Sequence, residues 1–216
     1  MSENRHKRKF LKFILNQIEG ISSPKILEFG VSERGLSTGI FLDLCKKNNG
    51  KLISVDNNPN SKKFNDINWT FIQTRDDDYD TVEKEIKDHL DVIYLDTIHK
   101  ADHVEKIIYR YYNKLKKGGF FFIDDISWIP YVSKNPKNHF YKEINNMETF
   151  EKVLDIYNAN SENFDLEFSF VGTGIAKIHK ITENKLIDKK KIFSRKITFH
   201  NLVRKIYKKL QVFDIF

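Results

Sequence analysis

The feature that most constrains this chain is a rhythm: short apolar runs, each closed by a carboxylate and followed by a helical pattern. Lys25–Phe29, Lys51–Val55, Trp69–Gln73, Asp91–Leu95 and Phe120–Ile123 read as strands. Glu28, Asp56, Asp76 to Asp78, Asp96 and the pair Asp124-Asp125 stand at or beside their ends. Leu36–Lys47 and Thr81–Leu90 read as helices, as does Ala101–Lys116, stopped by Gly118-Gly119. Two further helical patterns lie at 7–19, ended by Pro24, and at Met147–Asn158. Strands alternating with helices specify βαβ units and a mostly parallel sheet. Continuous apolar runs such as Val92-Ile93-Tyr94-Leu95 fit strands buried on both faces. Phe164–Val171 and Ile175–Ile181 break the rhythm, because the Gly172-Thr173-Gly174 link is short enough only for an antiparallel hairpin. The expected architecture is α/β: a Rossmann-like, seven-stranded, mostly parallel sheet with an antiparallel C-terminal hairpin and helices on both faces.

At 216 residues the chain is long enough to bury a core without staples. Eighteen Phe, nine Tyr and two Trp argue against disorder. The single Cys45 excludes a disulfide framework and a cysteine-rich zinc site. No apolar run reaches the roughly 20 residues of a membrane span. Residues 1–12 are charged and lack the apolar stretch of a signal peptide, so the expected setting is a reducing cytoplasm. The net charge of +7 sits at the ends. Residues 183–216 carry ten Lys/Arg against Glu183, Asp188 and Asp214, and residues 1–20 carry five against two, which leaves 21–182 at −3. We therefore expect one domain over 1–216: an N-terminal basic helix (1–23), a core (24–182) and a basic extension (183–216). The core has no basic stripe, which speaks against nucleic acid as the partner despite the basic total.

In an open α/β sheet, ligands bind beyond the carboxyl ends of the strands. Helix capping accounts for Asp78 or Asp80. It does not account for Asp124-Asp125, because Ile126, Trp128, Ile129 and Pro130 do not begin a helix. A dinucleotide pyrophosphate needs close glycines, and Gly30, Gly35 and Gly39 do not make the GxGxxG spacing. A nucleoside carrying positive charge fits an acidic mouth better. The sulfonium of S-adenosylmethionine tolerates nearby acids, and its ribose diol needs a carboxylate acceptor. Asp56 follows Gly35 by 21 residues, near the offset of a ribose-binding acid.

Ile26-Leu27-Glu28-Phe29-Gly30, followed by Gly35-Leu36-Ser37-Thr38, resembles motif I of class I S-adenosylmethionine-dependent methyltransferases. The run Tyr94-Leu95-Asp96-Thr97-Ile98-His99, then Ala101 to Val104, Lys117-Gly118-Gly119 and Ile123-Asp124-Asp125, is similar to their metal-dependent O-methyltransferases, in the cephalosporin-hydroxylase-like and sugar O-methyltransferase group. The resemblance covers residues 24–181. It departs at motif I, where four residues (31–34) separate the first two glycines instead of three. It implies S-adenosylmethionine held by Glu28, Gly30, Ser37, Asp56, Asp77 and Asp96, with Asp77 or Asp78 accepting from the adenine amino group. It also implies Mg²⁺ on Asp96, Asp124 and Asp125, which offer the hard oxygen donors that ion prefers. His99, three residues past Asp96, is the expected base, with Asp96 beside it as the second catalytic residue. The expected acceptor is a hydroxyl on a small molecule or sugar.

Other readings stand beside this one. Gly35-Leu36-Ser37-Thr38-Gly39 matches the GxSxG elbow of α/β-hydrolases with Ser37 as nucleophile, but that motif needs its strand to run directly into the serine turn. A non-catalytic adaptor on the same fold, tethered through its basic helices, is compatible with the basic ends; an rRNA-modifying enzyme fits the basic total, but such enzymes carry basic residues around the pocket, whereas this charge sits in the tails. His99 is equally a surface or capping histidine, His103 a structural one, Asp102 a first-turn helix acid, and Trp128 a pocket wall or core residue. Phe199, Leu202, Val203, Ile206, Leu210 and Phe213 make one side of a helix whose other faces carry Arg204, Lys205, Lys208 and Lys209. That helix fits peripheral contact with an anionic membrane, packing on its own body, or a homo-oligomer contact.

Overall fold

The computed structural model describes residues 11–31, 34–62, 64–128, 140–193 and 199–211, with the backbone alone at 60, 140–143, 200, 205 and 208–211. Seven strands form one sheet: β1 (Lys25–Phe29), β2 (Lys51–Asp56), β3 (Trp69–Gln73), β4 (Leu90–Leu95), β5 (Leu115–Asp124), β6 (Phe164–Ser169) and β7 (Ile175–Lys180). Their spatial order is β3-β2-β1-β4-β5-β7-β6. The first five run parallel, and β7 lies antiparallel between β5 and β6. Pairing sets Phe29 beside Val55 and Leu95, and Leu95 beside Ile123. This register brings the residues just past β1 and β4, together with the last residues of β2 and β5, to a common rim. Gly30, Asp56, Asp96 and Asp124 therefore become neighbours although 94 positions of sequence separate the outer two.

The helices are α1 (11–18), α2 (Leu36–Lys47), α3 (Tyr79–Glu85), α4 (Ala101–Tyr111), α5 (Phe140–Asn160) and α6 (Phe199–Gln211). Strand alternation divides the core between the two faces. Leu27, Phe29, Ile93, Leu95, Phe121 and Ile123 pack with Val104, Ile107 and Tyr111 of α4 and with Val153 and Ile156 of α5. Ile26, Leu52, Val92, Tyr94 and Phe122 face the other way, against Leu11, Ile14 and Ile18 of α1 and Phe41, Leu42 and Cys45 of α2. Helices thus cover both faces, as the unbroken apolar strands require.

Several element boundaries depart from the sequence expectation. The helix read over Ala101–Lys116 stops at Tyr111, continues as a single 3₁₀ turn over Tyr112–Lys114, and gives way to β5 at Leu115. Tyr111, Tyr112 and Leu115 are all fully buried and continue the apolar face of α4, so the pattern carries no mark of where the helix ends. The carbonyls freed by the turn are taken by the buried Lys180 ammonium, 3.4 Å from that of Tyr112 and 2.6 Å from that of Leu115. Gly118-Gly119 then lies inside β5, not after a helix. Pairing with β4 jumps from Leu90–Leu115 to Val92–Phe120, and Gly118 takes the bulge at φ +81. The helix expected over Thr81–Leu90 occupies Tyr79–Glu85, because Asp78 caps it by accepting from the Thr81 N–H at 3.4 Å and the chain is extended by Ile86. α5 begins at Phe140, before the expected Met147.

Candidate active site

β1 ends at a tight passage. Gly30 has φ +90, and a Cβ there would lie 1.9 Å from the Asp96 carbonyl oxygen. The Gly30 N–H donates to Val55 and the Asp96 N–H to Phe29, so the ends of β1, β2 and β4 are stitched together. Glu28 is completely buried beneath this crossing. Its two oxygens accept from the Ser37 and Ser54 hydroxyls, each at 2.7 Å, and Ser54 in turn accepts from the Trp69 indole at 2.9 Å. Burial pushes the Glu28 carboxyl up to about 7, against the opposing pull of those hydroxyls. Ser37 sits in the first turn of α2, with Gly35 at φ +54 as its cap. β1 ends at Phe29 and α2 begins at Leu36, so Ser37 is not on a strand-to-helix elbow. The Thr38 hydroxyl in the same turn is buried beside Glu28 and adds to the pull that lowers its carboxyl.

Asp56, at the end of β2, is half-buried and fixed by the backbone. One oxygen accepts from the Val31 N–H and the other from the Asn58 N–H, both at 2.8 Å. The acidic turn after β3 divides its work. Asp77 forms a two-pronged pair with Arg75 at 2.7 and 2.8 Å, which lowers its carboxyl below the usual range. Asp78 caps α3. Asp76 points inward, accepting from the Thr97 hydroxyl and lying 2.7 Å from His103 Nε2. Among the described residues, the group of three ligand-type side chains gathered within 4.8 Å is Asp76, Asp77 and His103. Two of these are occupied by Thr97 and Arg75, so the cluster ties the β3 and β4 ends to α4.

The second acidic centre spans β4 and β5. Tyr94, fully buried on β4, places its hydroxyl 3.2 Å from Asp124 Oδ2 and 3.4 Å from Asp96 Oδ2. His99 Nε2 lies 3.2 Å from Asp125 Oδ2 and 3.6 Å from Asp96 Oδ1. Asp96, Asp124 and Asp125, expected from the sequence as a metal set, thus lie on one rim and are linked through Tyr94 and His99, but their oxygens do not all gather within 4.8 Å of one another. Asp124 is 7% exposed, and its Oδ1 accepts from the Thr173 hydroxyl at 2.7 Å and from the Asp125 N–H at 2.6 Å. Burial, then the charges of Asp96 and Asp125, raise its carboxyl well above the ordinary range. Asp125 itself has φ +60, an uncommon setting for a side-chain-bearing residue, and it is held there beside the turn of the terminal hairpin, where the Ser127 N–H donates to Thr173 at 2.9 Å.

A Gly30 passage, an acid fixed at the end of the second strand, and carboxylates on the fourth and fifth share one rim. Residues 27–126 match the family described as a methyltransferase domain. The matched stretch runs from within β1 to just past β5. The fold recurs in the S-adenosylhomocysteine-bound Podospora anserina methyltransferase PaMTH1, at 13% identity and a TM-score of 0.58 over 73% of this chain and 72% of that one. A candidate caffeoyl-CoA O-methyltransferase from Staphylococcus aureus matches at 14% and 0.59, over 80% and 81%. MycE from the mycinamycin biosynthetic pathway, in complex with Mg, S-adenosylhomocysteine and mycinamycin VI, matches at 15% and 0.56, over 91% of this chain and 54% of that one. No curated protein matches the sequence.

The site contains participants that sequence reasoning missed. Tyr94 precedes Asp96 by two, so strand alternation puts both on one face, a signal that was available. Thr97 and Thr173 carried no such mark. Thr173 reaches Asp124 only because β7 returns antiparallel along β5.

Proposed function

We propose that this domain transfers the methyl group of S-adenosylmethionine to a hydroxyl of a small molecule or sugar, assisted by a divalent cation. The observation that carries the reading is the acidic rim itself, where Asp96, Asp124 and Asp125 stand about Tyr94 and His99 at the strand ends that also hold Gly30 and Asp56. The residues suit the cosubstrate. Asp56 is immobilised by two N–H donors and keeps lone pairs for a ribose diol. The chemistry of the acids suits a cation as well: all three are oxygen donors, and the charges of Asp96 and Asp125, which add to burial in raising Asp124, are what a divalent ion relieves.

When bound, S-adenosylmethionine supplies an electrophilic methyl on a sulfonium. Asp96, Asp124 and Asp125 would hold Mg²⁺, which would supply positive charge to offset the negative charge that develops on a deprotonated acceptor. His99 is placed to take the proton from the acceptor hydroxyl, and Asp125, 3.2 Å away, steadies the resulting imidazolium. Tyr94 and Thr173 hold Asp124 in its orientation. Catalysis then rests on positioning and charge stabilisation.

Calorimetric titration with S-adenosylhomocysteine, with and without Mg²⁺, tests the first half. Absence of binding in both would leave a non-catalytic adaptor as the better account. A screen of hydroxylated and glycosylated acceptors with and without EDTA tests the second. Turnover that is unchanged in EDTA would remove the cation.

A further inference from the structure

We propose that α6 is a docking helix for an anionic phospholipid surface, a role separate from methyl transfer. Phe199, Leu202, Val203, Ile206 and Tyr207 are 80, 56, 45, 53 and 63% exposed, so the body does not cover the apolar side of the helix. At helical spacing these positions, with Leu210, span an arc of roughly 140°. The rest of the circumference carries Arg204, Lys205, Lys208 and Lys209 and no acid. The bias extends beyond the helix. From Lys189 to Phe213 the chain has nine Lys/Arg and no carboxylate. The strand of chain that leads into this segment is fixed to the body: the Ile187 N–H donates to Asn160 Oδ1 at 2.8 Å, and the Lys190 and Ile192 N–H groups to Asp155 at 3.0 and 2.7 Å. Ile192 and Phe193, at its end, are also exposed.

Charge and apolar surface together select the partner. A second copy of the chain would set nine like charges against nine. A nucleic acid would satisfy the charges but offers no apolar phase for five exposed side chains. An anionic bilayer offers both, since the apolar arc sinks into the acyl boundary while the lysines and arginines meet headgroup phosphates. Among the described residues no helix is long and apolar enough to cross a membrane, so the contact is peripheral.

The test is vesicle flotation of the full chain. One set of vesicles holds about 30 mol% phosphatidylserine in phosphatidylcholine and the other phosphatidylcholine alone. We expect at least about ten-fold preference for the anionic set, fading as salt rises from about 0.1 M to about 1 M and the screening length falls from about 10 Å to about 3 Å. Replacing Arg204, Lys205, Lys208 and Lys209 together by Gln should weaken binding on the order of 10²-fold. Leu202→Ser with Ile206→Ser should abolish it. In both variants the thermal unfolding midpoint of the body should stay where it is, because neither core cluster draws on the described side chains of α6. Equal binding to both vesicle sets, binding that is indifferent to the four Gln substitutions, or no binding at low salt would overturn the proposal. So would a dimer in sedimentation equilibrium that the Ser pair dissolves while the full chain ignores lipid.

Discussion

Replacing Glu28 by Gln should change how the stability of this protein depends on pH. The carboxyl is completely buried, and burial moves it from 4.5 to about 7. A raised carboxyl means that the folded state prefers the protonated form more than the unfolded chain does. Its stabilising effect is therefore whole below pH 4.5, declines through the interval up to about 7, and is gone above it. At about 1.36 kcal/mol per unit, a shift of roughly 2.5 units corresponds to about 3 kcal/mol across that interval. Gln has the same shape and no proton to lose, and it meets the Ser37 and Ser54 hydroxyls with an acceptor and a donor. Urea unfolding of both proteins, from about pH 4.5 to about pH 8, isolates the group because every other titration is shared. The wild type should fall relative to Glu28→Gln by about 3 kcal/mol over this range, so that the variant is the more stable protein at the alkaline end. Parallel stability curves would refute the reasoning and place an ionised Glu28 in a better-solvated environment than the geometry gives it.

Three further outcomes are expected. Gly30→Ala places a Cβ 1.9 Å from the Asp96 carbonyl at φ +90, and should cost more than about 3 kcal/mol of stability or prevent folding, read by urea unfolding. Asp56→Asn should weaken S-adenosylhomocysteine binding by about 1.5–3 kcal/mol in calorimetry while the fold persists; unchanged affinity would remove Asp56 from the cosubstrate site. His99→Ala should lower turnover by about 10²–10⁴-fold with cosubstrate affinity intact, whereas a purely structural His99 would leave turnover near wild type.

The strand ends were legible in the sequence because the signal there is local and doubled. A run such as Leu27 to Phe29 or Val92 to Leu95 has few alternatives to a buried strand, and an acid or glycine marks where it stops. The hairpin was legible from Gly172-Thr173-Gly174, which lie within the five residues that part β6 from β7. The end of α4 was not, since Tyr111, Tyr112 and Leu115 read as helix until the sheet that buries them is in place, and the cation that satisfies the turn, Lys180, is 65 residues beyond Leu115. The candidate site divides in the same way. Asp96, Asp124, Asp125 and His99 could be singled out by type and offset. The inward turn of Asp76 toward Thr97 and His103, and the hold of Thr173 on Asp124, depend on which strands become neighbours, and a single sequence does not print that.

The position of β7 also has a consequence for the order in which a ribosome delivers the parts. β7 is the last strand made, yet it fills an interior slot between β5 and β6. Until Ile175–Lys180 has emerged, one edge of β5 stands open, the buried aromatic pair Phe121-Phe122 lacks its flanking strand, and β6 has nothing to pair with. Asp124 waits for Thr173 over the same interval. The nascent chain therefore reaches residue 180 with its acidic rim incomplete and a sticky edge exposed, and one hairpin closure resolves both at once.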